Sequence, residues 1–387
     1  MNNTLLFGYD KQQIKDEQTF SIYELPLANT LLLSSMGCGE LHFMTENIKY
    51  QKNANMIILD TGDQLFSDTY DTLIEKGYSV LHIDYDNGIS KTEEIINPFA
   101  YSASYMDITD FAEIICNYNG IQDPCLKETE KQMIVDYLMS YREEHNLSKF
   151  TISTMYRDAV SGFSGKYIGE NVSIAEESAV RDIVFALEPY KDMGYDRPLL
   201  DMSSLFSKEK VALFLEVGME HRVPNMIYAI MLNQIIKQTM TIKTQSDFIF
   251  FFPEVWGNIV SKIPWFSRML VAERKCNIAL VLGAQSVNQL SMLVLQNMQY
   301  FVANGPTNDR TTAEYLSGLC GVENVRTFKC ERIGKFPIPL LRRGLKERRN
   351  VESYEFHRMP KDECMVLNVR GHIRLKKLPV SSNCNYA

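Results

Sequence analysis

Between Asn29 and Leu41 the chain reads Asn-Thr-Leu-Leu-Leu-Ser-Ser-Met-Gly-Cys-Gly-Glu-Leu, the layout of a strand, a tight glycine turn and a helix start. Backbone N–H groups at such a helix N-terminus can cradle phosphate, and a lysine in the turn supplies the countercharge. Against the phosphate-loop pattern G-x-x-x-x-G-K-[ST], Ser34 replaces the first glycine and Gly39 is kept. Glu40 stands at the lysine position and Leu41 at the magnesium-binding hydroxyl, with Ser35, Met36, Gly37 and Cys38 filling the turn. A cation about 4 Å from a phosphate charge gains roughly 4 kcal/mol at an effective dielectric of 20. Glutamate reverses the sign. A Gly-Cys-Gly turn after an apolar run also fits a plain turn, so the motif alone does not define a site.

Two other places could do chemistry. Glu254 follows the apolar run Phe248–Phe252 and Pro253, at the strand end where α/β sheets place active sites; a solvated edge carboxylate is the plainer reading. The segment Arg326 to Arg349 holds nine Lys/Arg against Glu331 and Glu347. It reads either as a phosphate-tracking loop, with Arg342, Arg343, Arg348 and Arg349 as the DNA-binding residues, or as a solvated loop paired with the acidic remainder. Trp256 and Trp265 fit packing better than base stacking. Gly162-Phe-Ser-Gly165 is not a nucleophile elbow.

The net charge of −8 excludes a protein that coats nucleic acid over its whole surface. Eight cysteines without a C-x-x-C pair and six histidines without H-x-x-x-H give no zinc pattern, so no metal is expected and the thiols read as reduced. The N-terminus lacks a signal-peptide pattern, and no apolar run approaches a membrane span; a cytoplasmic location is expected.

The elements that must position these residues fall into two groups of short apolar runs. The first holds Leu31–Leu33, Met56–Leu59 and Val80–Tyr85; the second holds Val211–Val217, Phe248–Phe252, Ile278–Leu282, Tyr300–Ala303 and Met365–Val369. Runs apolar on both faces and alternating with helical patterns (Asp68–Lys76, Asn225–Thr239) suit a mostly parallel sheet with helices on both faces. In the second helix Met226, Ile230 and Ile235 fall near one face. Between the strand groups, Ile108–Asn117, Leu126–His145, Ile152–Ser161 and Ser173–Leu187 carry helical spacing. The expected organisation is a first α/β part over 1–97, an all-helical insertion over 98–204, a second α/β part over 205–380 and a frayed tail over 381–387.

Met56-Ile-Ile-Leu-Asp60, Gly77–Asp84, Asn97-Pro-Phe-Ala-Tyr101, Lys210–Leu215, Phe248–Ile259, Cys276–Leu290 and Pro360–Gly371 follow in an order and spacing that resemble the type IV secretion coupling proteins, the TraG/TraD-type conjugative DNA-transfer ATPases. The resemblance runs from about Leu27 to Val380. It implies a RecA-like P-loop NTPase-type fold with a helical insertion that helps recognise cargo, hexameric rings, ATP hydrolysis and attachment to the membrane through N-terminal spans. Carried over residue by residue, the family's loop lysine and threonine fall on Glu40 and Leu41, and its acidic pair on Pro253 and Glu254. Proline cannot hold magnesium, although Glu254 could act as a general base. The family's nucleotide-sensing glutamine matches Gln285, with Gln289 following in register. The run after Asp60, usually proline-lysine-glycine-glutamate, reads Thr61-Gly-Asp-Gln64, and Arg274 lies where the family carries an arginine.

The phosphate-binding charge, the metal-binding hydroxyl and the metal-binding carboxylate are lost together. The resemblance therefore implies a pseudo-ATPase of a conjugative or mobile element, with no cofactor expected, that recruits DNA or a relaxase through partners. Those partners are an active coupling protein, a relaxase or other transfer-system protein, or further copies of itself; the DNA contact is expected to be weak, and any membrane association to run through partners. The alternative is an active DNA-translocating ATPase with an unorthodox nucleotide site that uses ATP and magnesium. A third reading is a soluble ring or scaffold that binds DNA without hydrolysis.

Overall fold

The computed structural model describes residues 3–9, 22–62, 64–86, 89–90, 104–118, 123–145, 150–191, 210–216, 222–241, 246–253, 263–332 and 339–378. In chain order the strands are β1 (Thr4–Tyr9), β2 (Ile22–Pro26), β3 (Thr30–Leu33), β4 (Asn55–Asp60), β5 (Ser79–Asp86), β6 (Ile89–Ser90), β7 (Val211–Glu216), β8 (Phe248–Phe252), β9 (Ile278–Ala284), β10 (Tyr300–Asn304), β11 (Val322–Arg332), β12 (Pro339–Arg349), β13 (Glu363–Asn368) and β14 (Gly371–Lys376). The longer helices are α1 (Glu40–Tyr50), α2 (Gln64–Glu75), α3 (Tyr105–Tyr118), α4 (Pro124–Glu144), α5 (Ile152–Val160), α6 (Ile174–Leu187), α7 (Arg222–Thr241), α8 (Pro264–Cys276) and α9 (Arg310–Leu319). Each apolar run read from the sequence lies on a strand, with ends moved by a residue or two.

The chain divides into two compact units, Gln51–Leu280 and Asn2–Tyr50 with Val281–Ala387. The cut passes through β9 and does not separate the helices from the strands that flank them. In the first unit the strand order is β8-β4-β7-β5-β6, parallel except for the short β5–β6 hairpin. Strands β4 and β8 are buried at every residue, as strands covered on both faces must be. Every described element between Tyr105 and Tyr190 is helical. Helix α7 is buried on all sides from Met226 to Ile236, not along the single face expected from Met226, Ile230 and Ile235.

Polar contacts tie the helical stretch to α7 and α8. Lys237 pairs with Asp107, and Trp265 donates its indole N–H to Asp110 Oδ2 at 2.8 Å. Arg268 lies 3.6 Å from the same carboxylate and stacks over the Trp265 ring at 4.6 Å. Burial, partly offset by Arg268 and the Trp265 bond, holds the Asp110 carboxyl above the usual carboxylate range. Trp265 is thus a packing residue; Trp256 lies outside the described residues.

In the second unit the order is β2-β1-β14-β13-β10-β3-β9, with β10, β3 and β9 parallel and the other pairs antiparallel. Helix α1 is fixed to β1 through Asn47, which is fully buried. Its Oδ1 accepts from Leu6 N at 2.8 Å, and its Nδ2 donates to Leu6 O and Phe43 O, each at 2.9 Å. The side chain pairs a backbone edge where the β1–β2 register shifts between Leu6 and Gly8. β11 and β12 form a separate two-stranded sheet. The basic segment is therefore a hairpin, which corrects the loop expected from its charge.

Candidate functional site

Three parallel strands of the second unit end side by side. Leu33 of β3 is in register with Ala284 of β9 and with Ala303 of β10, so Ser34, Gln285 and Asn304 stand at adjacent carboxyl ends. This is where open α/β sheets form their crevices. Ser34 N donates to Ala284 O at 3.0 Å and carries the chain off the sheet. Gly37 (φ +74°) and Gly39 (φ +85°) then take left-handed backbone conformations, and α1 starts at Glu40. The turn has phosphate-loop geometry in outline. Its tip, Met36, is exposed, and Cys38 turns inward and is buried.

Ser35 and Cys38 of the loop are bound by the chain itself. Asn308 N donates to Ser35 Oγ at 3.3 Å. The Cys38 carbonyl accepts from Asn304 Nδ2 at 3.2 Å and also from Lys377 Nζ, an amine from just beyond β14. Burial lowers the Lys377 amine below the usual lysine range. One turn into α1, His42 Nε2 lies 3.0 Å from the Leu378 carbonyl. Gly305 (φ +89°) makes the approach possible: a Cβ there would stand 3.2 Å from Lys377 Nζ and 3.4 Å from Cys38 Cβ. Lys377 is the lysine that the fold brings to this loop. It comes from the far end of the chain and occupies no motif position.

The end of β9 is closed just as firmly. Gln289 Oε1 accepts from Gln285 N at 2.9 Å and Ser286 N at 3.2 Å. Asp309 caps α9 by accepting from Thr311 N at 3.2 Å and Thr312 N at 3.1 Å, and it takes further bonds from Thr312 Oγ1 at 2.6 Å and Ser286 Oγ at 2.7 Å. The Thr312 bond above all, with Ser286, holds the Asp309 carboxyl below its ordinary range. Gln289, a match for nothing in the nucleotide pattern beyond its register, is a backbone cap. The sequence signal for this cluster was the turn-rich run Gly305-Pro-Thr-Asn-Asp309 after a strand.

The structure brings together Ser35, Met36, Gly37, Cys38, Gly39, Glu40, Leu41 and Gln285. Glu254 lies outside the described residues, as do the side chain of Arg274 and the tail. Pro253, in the other unit, is a buried bend directly after β8. Asp60 is fully buried and caps α2, accepting from Leu65 N at 3.2 Å and Phe66 N at 2.7 Å. Arg342 and Arg343 sit on β12, and Arg348 is exposed near its end. Arg349 donates to Ser317 Oγ at 3.1 Å, which in turn donates to Val351 O at 2.6 Å. That bond ties the exposed Arg349 to α9. Among the described residues no group of three or more His, Cys, Asp or Glu could hold a metal, and no helix is long and apolar enough to cross a membrane.

A parallel α/β sheet with a glycine turn at a strand end and helices interrupting the strand series defines the class: a P-loop NTPase-type fold. The chain is similar over nearly its full length to solved conjugative coupling proteins. Against the bacterial conjugative coupling protein TrwBΔN70 in its unbound form the TM-score is 0.68 at 13% identity, covering 99% of this chain and 96% of that one. Against the plasmid coupling protein TrwB in complex with ADP and Mg2+ it is 0.71 at 14% identity, covering 100% and 96%. Against VirB4 of Thermoanaerobacter pseudethanolicus it is 0.61 at 12% identity, covering 97% and 96%. No protein-family model and no curated protein matches the chain. The resemblance read from the sequence is met at the level of the fold.

Proposed function

We propose that the chain is a coupling-protein-like subunit of a conjugative or type IV secretion system, a pseudo-ATPase that recruits DNA or a relaxase-type cargo through protein partners. The observation that carries this reading is the loop itself: Glu40 and Leu41 open α1, and the Cys38 carbonyl is held by Asn304 and Lys377. A loop with a carboxylate for its lysine opposes phosphate charge, and Leu41 and Pro253 offer magnesium no ligand. TrwB, whose fold the chain shares, has been solved with ADP and Mg2+. Calorimetry with Mg·ATP tests the difference. Micromolar, magnesium-dependent binding would overturn the reading. The variant E40K/L41T/P253D restores the three missing groups, and binding gained there alone shows that the cradle survives without its charges.

One observation favours the rival, an ATPase with an unorthodox site: the Lys377 amine at the Cys38 carbonyl could stand in for the missing lysine. On that rival K377M removes nucleotide binding. On our reading the parent has none to lose.

A further inference from the structure

Strands β11 and β12 pair without a break from Val322↔Arg349 to Arg332↔Pro339, eleven residues a side. At about 3.4 Å per residue the ribbon is about 35 Å long. It belongs to no larger sheet, and a lone two-stranded ribbon is marginal by itself. Its described base is open to solvent: Val322, Glu323, Asn324, Lys346, Glu347 and Arg348 are all exposed.

The charge on this ribbon does not serve the ribbon's own stability. Its strands carry eight Lys/Arg against three Glu, in a chain of net charge −8. In this register only Arg348 has a carboxylate directly across, at Glu323, while Lys329 stands opposite Arg342. Like charges at paired positions are destabilising. Alternation divides the cations evenly: Lys329, Arg342, Lys346 and Arg348 fall on one face, and Arg326, Arg332, Arg343 and Arg349 on the other.

That even division selects the kind of polyanion. A flat anionic surface meets one face of a ribbon. A major groove, about 12 Å wide, admits a two-stranded ribbon, and a ribbon that enters edge-on turns one face to each phosphate wall. Single strands are held on runs of stacking aromatics, and Phe328 is the one aromatic residue in the two strands. We propose that the β11–β12 ribbon is a DNA-binding arm that enters the major groove of duplex DNA, with its two basic faces on the phosphates of the two strands. This deepens the coupling-protein reading by naming its DNA contact.

The test uses the full chain, a labelled 30-base-pair duplex and a salt series read by fluorescence anisotropy. Two triple variants, K329Q/R342Q/K346Q and R326Q/R332Q/R343Q, each strip one face and spare the Arg349 anchor. Each phosphate contact adds about 0.9 to the slope of log affinity against log salt, so each variant should flatten the slope by about 2 to 3. Thermal melts of both variants should match the parent's or, for K329Q/R342Q/K346Q, exceed it, since that variant removes the Lys329–Arg342 like-charge pair. A slope unchanged in both variants, or sensitive to one face only, overturns the proposal. So does tighter binding to phosphatidylserine vesicles or to single-stranded DNA than to duplex, or displacement by a minor-groove ligand. Nucleotide calorimetry on the same samples reports separately on the pseudo-ATPase reading, so either can fail alone.

Discussion

Replacing Lys377 with methionine removes the amine at the phosphate-like loop and keeps most of the side-chain volume. A hydrogen bond from a charged donor contributes about 1.5–3 kcal/mol net. Two features place the loss here toward the low end. The Cys38 carbonyl keeps Asn304 Nδ2 at 3.2 Å, so it is not left bare. The amine also bears a desolvation cost, seen in its lowered pKa, which methionine does not. We expect a loss of about 1–2 kcal/mol, read as a fall of a few degrees in the melting temperature. N304A on its own should cost about 1 kcal/mol, and N304A/K377M should exceed the sum of the singles, because only the double leaves the carbonyl without either donor.

The pH dependence is a second readout with a definite sign. A lysine with a lowered folded pKa binds its proton more weakly folded than unfolded. Its penalty is fully present below the folded pKa and is relieved as pH rises from there to the unfolded value. Circular-dichroism melts should therefore show the parent gaining on K377M as pH rises from 7 to 10. A variant as stable as the parent at pH 7, together with an additive double, would refute the view that Lys377 braces the loop.

Asn47→Ala should cost about 2–4 kcal/mol in denaturant unfolding, because it strips partners from Leu6 N and Leu6 O at a buried edge; a loss under 1 kcal/mol would mean that water replaces the side chain. Asp110→Asn keeps an acceptor for Trp265 and removes a carboxylate whose folded pKa is raised, chiefly by burial. Parent stability should fall relative to the variant as pH rises through the window above 3.8, leaving the variant at least as stable at pH 7; a parent clearly more stable at pH 7 would show that the Arg268 pairing outweighs burial.

The parallel strands were legible because they are buried on both faces: Phe248–Phe252 and Met56–Leu59 read as unbroken apolar runs, and no other local structure explains such runs at that length. Strands β2 and β14 escaped notice for the opposite reason. Gly371-His-Ile-Arg-Leu-Lys376 is largely exposed and mixed in polarity, and its pairing with β13 is specified by partners, not by its own pattern. The hairpin was hidden by its charge, because its charged positions leave no regular apolar–polar alternation to read, while the cross-strand register that makes a ribbon is invisible in one dimension. The site divided along the same line. Glu40 and Leu41 depart from the phosphate-loop pattern by type and spacing alone. Lys377, Asn304 and Gly305 reach the same loop through tertiary placement, and no local pattern connects residue 38 with residue 377. A motif can thus report where a loop departs from a pattern, while only the fold reports which distant groups reach it: here an amine on a backbone carbonyl.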